Sequence, residues 1–277
     1  MNPTPIHEYI KAGLFLIPIS PVNGKPVKGP TSQGWNLPKS PENPNGYSND
    51  PEDIIRRTEA PGSNIGLALG PSKVATIDLD DLKMSREVLA LADIDIDALM
   101  ADPESVQIIG RAGRGKLLYR VPEGFDCHTV KLTYGEKGKD ERAIFELRFQ
   151  ASNGHTVQDV LPSSQHPDTG KSYELDGDIT KIPPLPQALA DLWTHWQEWK
   201  PVLQSLDPHQ AEAINKTEKQ KPKVETTQVE GTIDPITVFN ERHSIHEVLT
   251  HNGIQTKGKA LHQAREHQRG PGDRAAR

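Results

Sequence analysis

The spacing of apolar positions predicts short elements over the first 200 residues and little beyond. Residues 6–12 read as a short helix closed by Gly13. Residues 14–19 (Leu-Phe-Leu-Ile-Pro-Ile) read as a buried strand whose proline places it near a sheet edge. Between Ser20 and Asn49, Pro, Gly, Asn and Ser crowd the chain, as in a long surface loop; loops of that length inside a domain are usually functional or mobile. Asp50-Pro-Glu-Asp opens a helix through Arg57, with Asp50 as N-cap and Pro51 at the first helical position. Two strong strand signals, 65–69 and 74–80, flank a Gly-Pro-Ser turn, and 84–100 reads as one helix. Residues 105–109 and 116–121 read as a hairpin around Gly110-Arg-Ala-Gly-Arg-Gly115; 143–149 and 156–161 read as further strands. Residues 188–199 read as a helix whose Trp193, Trp196 and Trp199 form an i, i+3, i+6 stripe that packs back on the domain.

Strands outnumber helices and do not alternate strictly with them, which predicts an α+β fold with a largely antiparallel sheet rather than a doubly wound one. Residues 1–200 are expected to form the folded domain. A polar, lysine-bearing linker is expected over 201–232 and a short helical segment over 233–254 (Ile236, Val238, Phe239, Ile245, Val248, Leu249). The stretch 255–277 carries six Lys or Arg against two Asp or Glu and reads as a basic, disordered tail.

Composition narrows the function classes. Twenty-four prolines among 277 residues exclude a long coiled coil or an all-helical bundle. No apolar run approaches the ~18–20 residues that span a bilayer, and the first residues lack a basic-then-apolar secretory profile, so a cytoplasmic location is expected. A single cysteine, Cys127, excludes a disulfide scaffold and a cysteine zinc cluster. The formal net charge is -6, so any case for nucleic-acid binding rests on local patches.

The most informative stretch is Ala75-Thr-Ile-Asp78-Leu-Asp80. Strand side chains alternate faces, so Thr76, Asp78 and Asp80 share one face and Ala75, Ile77 and Leu79 the other. Carboxylates at i and i+2 stand ~7 Å apart at Cα and can converge on one cation, and hard divalent ions take such oxygen ligands together with substrate phosphates. The plainer reading is a strand ending at an acidic loop, since Asp81 follows. A second strand, Ala143-Ile-Phe-Glu146-Leu-Arg-Phe, frames Glu146 with apolar residues, where an acid is costly unless paired or metal-bound. A salt bridge from Glu146 to Arg148 or Arg142 is the structural alternative. Three carboxylates on adjacent strands can hold the ions of a nucleotidyl transfer.

Two other segments carry candidate chemistry. Gly110-Arg111-Ala-Gly-Arg114-Gly-Lys116 combines glycines, which admit backbone N–H groups to an anion, with cations that neutralise it; its spacing is not that of a Walker A loop. Leu161-Pro-Ser-Ser164-Gln-His166-Pro-Asp-Thr-Gly-Lys-Ser-Tyr173 offers hydroxyl and imidazole donors to a phosphate, or else is a proline-stiffened loop with an incidental histidine. No G-x-S-x-G elbow surrounds Ser163 or Ser164, which disfavours a serine hydrolase.

In this order the segments resemble the bifunctional DNA primase/polymerase (Prim-Pol) domain of the archaeo-eukaryotic primase superfamily, as found in phages, plasmids and integrated elements. The match runs from about Ile6 to Tyr173 and takes in Asn64-Ile-Gly-Leu-Ala-Leu-Gly70, Ile77-Asp-Leu-Asp80, Gly113-Arg-Gly-Lys-Leu-Leu-Tyr-Arg120, Phe145-Glu-Leu147 and the segment ending at Tyr173. The resemblance implies a primase-like catalytic domain with a mixed, largely antiparallel sheet flanked by helices, plus the small helical C-terminal appendage. It implies Mg²⁺ or Mn²⁺ on Asp78, Asp80 and Glu146, which would be the catalytic and metal residues. It also implies nucleotide contacts from Arg111, Arg114, Lys116, Ser164 and His166. The implied partners are a DNA template and primer, nucleoside triphosphates and a separately encoded helicase, with no membrane.

The family's second motif ends in a histidine on the strand after the glycine turn, where this sequence has Lys116. Either Lys116 takes its place as phosphate contact, or His166 folds back into the site. The apolar pattern stops after Gly253, as expected of a truncated product, and no ATPase P-loop is present. The expected function is therefore metal-dependent primer synthesis or extension for a mobile element. The alternative is a catalytically impaired, truncated replication or DNA-binding module that keeps the fold; a weaker third reading is a metal-dependent nuclease.

Overall fold

The computed structural model describes residues 5–209. Helix α1 (Pro5–Lys11) leads into strand β1 (Leu16–Ile19), and helix α2 (Pro51–Arg57) follows the long loop. As the sequence predicts, Asp50 caps α2 by accepting from the backbone N–H groups of Glu52 and Asp53. Strand β2 (Asn64–Ala68), one helical turn α3 (Leu69–Ser72) and strand β3 (Val74–Leu79) come next, then helices α4 (Leu82–Ala90) and α5 (Ile96–Ala101). The hairpin strands are β4 (Gln107–Ile109) and β5 (Gly115–Arg120), followed by β6 (Val130–Tyr134), β7 (Arg142–Arg148), β8 (Gln158–Val160) and β9 (Glu174–Asp176). Helices α6 (Gln187–Thr194) and α7 (Trp196–Gln204) complete the described chain.

The strands form two sheets, one in the order β1-β2-β8 and one in the order β6-β7-β3-β5-β4-β9. Every ladder among the described strands is antiparallel and the parallel pairings are isolated bridges such as Arg120 with Pro184, so the architecture is the expected α+β class with a largely antiparallel sheet. One face of the larger sheet is apolar. There Ala75, Ile77, Leu79, Leu117, Phe145 and Leu147 pack under Val88, Leu89, Leu189, Leu192 and Trp193 of the helices. A second core joins Leu14, Leu16, Ile54, Ile65 and Leu67 to Val74, Ile108 and Leu118 of the larger sheet and to Val106 just before β4. The smaller sheet therefore covers part of the opposite face, and the rest of that face is free to carry charge.

Several sequence expectations change in detail. The helix expected over 84–100 is two helices, because Asp93 adopts a left-handed φ of 56° and Asp95 caps α5 by accepting from the Ala98 N–H. The helix expected over 188–199 breaks at His195; Trp193 and Trp196 are buried and Trp199 packs against the same core, so the stripe keeps its role across the break. Helix α7 continues past the boundary expected at residue 200, and the buried Asp207 accepts from the Gly135 N–H. The strands on either side of the Gly-Pro-Ser segment lie in different sheets, with Lys73 at φ 53° turning the chain between them. Strands β6 and β9 were not anticipated. The helical segment expected at 233–254 and the tail at 255–277 lie outside the described residues, as does the linker beyond 209. Among the described residues, no helix is long and apolar enough to cross a membrane.

Candidate functional site

Register alone places the charged residues. Across the larger sheet Lys131 stands opposite Glu146, Glu146 opposite Asp78, and Asp78 opposite Lys116. Because residues paired in a ladder share a face, β6, β7, β3 and β5 carry a single cross-strand row of cation, acid, acid, cation. One step along, Arg148 stands opposite Thr76 on the same face.

The ion pairs follow from that row. Lys116 Nζ lies 3.1 Å from Asp78 Oδ2, and Arg114 donates to Asp80 Oδ1 at 2.5 Å. Arg148 donates to Glu146 Oε2 at 2.5 Å, and Lys131 Nζ lies 3.0 Å from Glu146 Oε1, so the Arg148 alternative raised from the sequence is realised. Arg142 instead approaches Asp81, at 3.8 Å.

The sequence reading passed over an acid that lies at the centre of this network. Asp159, on β8 of the smaller sheet, reaches across to the larger one and is 3% exposed. It accepts from Lys116 Nζ at 2.5 Å and from the Thr76 hydroxyl at 2.5 Å, and Arg148 Nε lies 2.9 Å away as an ion pair. The available signal was an acid inside the apolar run Val157-Gln-Asp159-Val-Leu161.

These groups open onto a cavity of about 250 Å³ between the two sheets. Asp78, Asp80, Arg111, Arg114, Lys116 and His166 all line it, as do Arg148, Asp159, Tyr173 and Lys28. Five cations therefore face three carboxylates, a net positive cavity suited to a polyphosphate. Glu146 is not among the lining residues; its carboxylate is turned to Arg148 and Lys131.

The loops that complete the cavity are fastened by one buried asparagine. Asn64 donates to the carbonyls of Val27 and Gln165 and accepts from the Gln165 N–H, so it ties the long loop and the Pro-Ser-Ser segment to β2. Gln158 donates to the Lys28 carbonyl, and Lys28, a residue of the long loop with no motif to mark it, lines the cavity. Ser164 is buried and bonds both ways to the Ile65 backbone, so its hydroxyl serves the fold and does not line the cavity. His166 does fold back into the site. Its Nδ1 accepts from the Asp168 N–H, which leaves the hydrogen of the neutral ring on Nε2, and its ring lies 5.5 Å from that of Tyr173. Tyr173 packs over Gly110, where a side chain would collide with its ring.

The electrostatics sort these groups. Burial pushes the Asp78 carboxyl above its ordinary value; Lys116 opposes this, and Asp159 and Asp80 add to it. Burial disfavours the Lys116 charge, yet Asp159 and Asp78 more than offset it and hold the ammonium charged. Asp159 and Glu146 go the other way from Asp78: burial raises them, but Arg148 and the nearby lysines hold both below the usual carboxylate range. Burial, then Lys28, lowers His166, which keeps it neutral.

Whether a divalent ion suits this donor set turns on Asp78 and Asp80. Among the described residues no three His, Cys, Asp or Glu side chains form a ready-made metal cluster. Two carboxylates, Asp78 on β3 and Asp80 just past its end, open onto the cavity, and burial raises the Asp78 carboxyl despite Lys116. A site of one or two carboxylates completed by substrate phosphates is the usual mode for Mg²⁺, so these residues fit it.

A search of curated proteins found no match for this chain. The family profile for the bifunctional DNA primase/polymerase, N-terminal (Prim-Pol) domain matches residues 6–188, a span that holds both sheets and every lining residue named above. By that match the chain belongs to the Prim-Pol family.

Proposed function

We propose that this chain is a DNA-templated primase-polymerase that joins nucleotides at the cavity between its two sheets. Family membership carries nucleotidyl transfer, DNA and nucleotide binding and a general dependence on divalent metal. The observation that supports the finer reading is that Asp78 and Asp80 open onto the same cavity as Lys28, Arg111, Arg114, Lys116 and Arg148. Asp78 and Asp80 would hold Mg²⁺ or Mn²⁺, with Glu146 opposite Asp78 on the neighbouring strand but paired to Arg148 and Lys131 outside the cavity. Such an ion, when bound, supplies charge for the transferring phosphate and acidifies the attacking hydroxyl.

The protein's own groups do the rest. Arg111, Arg114 and Lys28 can neutralise the triphosphate from the rim, and Lys116 from the floor. His166 offers its Nε2–H as a neutral donor, and Tyr173 behind it fixes the ring. Lys116, at the position where the family carries a histidine, and His166, which reaches the cavity from the later segment, both serve as phosphate contacts. The setting we assign is replication of a mobile genetic element alongside a separately encoded helicase.

One observation favours the alternative of a non-catalytic DNA-binding module: Asp78 and Asp80 are each already paired with a cation. Template-dependent primer extension with Mg²⁺ or Mn²⁺ separates the two readings. The Asp78→Asn/Asp80→Asn variant is expected to lose roughly 10³-fold or more of the activity, equivalent to several kcal/mol of barrier, while keeping its melting temperature. No incorporation by the wild-type chain would favour the binding module, and undiminished synthesis by the variant would sink the assignment of these two acids.

A further inference from the structure

Asp159 holds no phosphate or metal in the reading above, yet Lys116, Arg148 and Thr76 all converge on it. The charged row of the larger sheet explains why that matters. Left to itself, the ammonium of Lys116 has one partner on its own sheet, the Asp78 directly opposite. An ammonium settled fully on Asp78 would compete with a divalent ion for that carboxylate. Asp159 enters from the other sheet and draws Lys116 Nζ to 2.5 Å from its own Oδ1, against 3.1 Å to Asp78 Oδ2. It is buried, and Thr76 bonds its second oxygen, so its position is fixed by both sheets.

We propose that Asp159 is a positioning residue that takes the closer share of the Lys116 ammonium, weakening its ion pair with Asp78 so that a divalent cation can displace it from that carboxylate. This rests on the assignment of Asp78 and Asp80 as the metal-holding pair and adds a residue that works through Lys116. The alternatives are that Asp159 attracts the cation directly through its charge, or that it only stabilises the fold.

The test is a double-mutant cycle on Mn²⁺ affinity, read from the electron paramagnetic resonance signal of free Mn²⁺ with the full chain and no nucleotide. Asp159→Asn is expected to weaken Mn²⁺ binding about 10-fold, the scale seen when a group supporting a metal ligand is removed. In a Lys116→Met background the same Asp159→Asn change is expected to alter affinity by less than about 2-fold, because the competing ammonium is gone. The double variant also removes one charge of each sign, so it remains informative if the single Asp159→Asn chain folds poorly. An equal loss in both backgrounds would overturn the proposal in favour of direct attraction. Unchanged affinity in Asp159→Asn would overturn it in favour of a purely structural role. Wild-type binding unaffected by Asp78→Asn/Asp80→Asn would overturn the underlying site assignment, a result distinct from the other two.

Discussion

On β3, Ala75, Ile77 and Leu79 lie beneath α4 and α6, whereas Thr76 and Asp78, one position away on the same strand, point to the opposite side, Thr76 to the buried Asp159 and Asp78 into the cavity with its ion pairs. The same contrast runs through β7, where Phe145 and Leu147 face the helices and Glu146 and Arg148 face the charges. The apolar face holds the domain together by area removed from water and tolerates no chemistry. The charged face is balanced rather than stabilising: each buried ion gives up hydration that its partner only approximately restores. A strand with a period of two lets one sequence do both, so the fold can keep its stability while the site keeps charge in hand.

That contrast can be broken from either side. The largest stability effect is expected on the apolar face. Phe145→Ala removes the ring that meets Trp196 edge-on at a centroid distance of 6.1 Å, and should cost about 3–5 kcal/mol in denaturant unfolding. It should leave Mn²⁺ affinity unchanged in the folded protein; a matching loss of metal binding would mean the faces are not independent.

The charged face should respond less at neutral pH and, unlike the other, should depend on pH. Asp159→Asn leaves Lys116 and Arg148 under-compensated, for an expected loss of about 3 kcal/mol. Asp159 titrates below the usual carboxylate range in the folded chain, after Arg148 and Lys116 outweigh burial. Its ionisation therefore stabilises the fold above the unfolded-state value and is lost as pH falls through the folded one. The gap between wild type and Asp159→Asn should narrow steadily as pH drops below about 4. A gap independent of pH would contradict the ionised buried acid.

The apolar face was the legible one. Alternation around Ile77 and Phe145 marked both strands and the side that Asp78 and Glu146 would share, and the register then set the two acids opposite each other. The tryptophan stripe was legible too, although periodicity could not show the break at His195, because a single residue interrupts α6 and α7 without shifting the buried side. Asp159 was missed for a different reason. Nothing along the chain says that β8 belongs to the other sheet, and only that crossing brings its carboxylate to Lys116 and Arg148. Ser164 shows the converse, a polar residue in a plausible motif whose hydroxyl is spent on the backbone of β2.

The measurement closest to the central claim is anomalous diffraction from crystals grown with Mn²⁺ and a non-hydrolysable nucleoside triphosphate. The account predicts a Mn²⁺ peak bound by Asp78 and Asp80, with the phosphates among Arg111, Arg114 and Lys116. A triphosphate seated in the cavity with Arg114 still on Asp80, Lys116 still on Asp78 and no metal peak between them would contradict it.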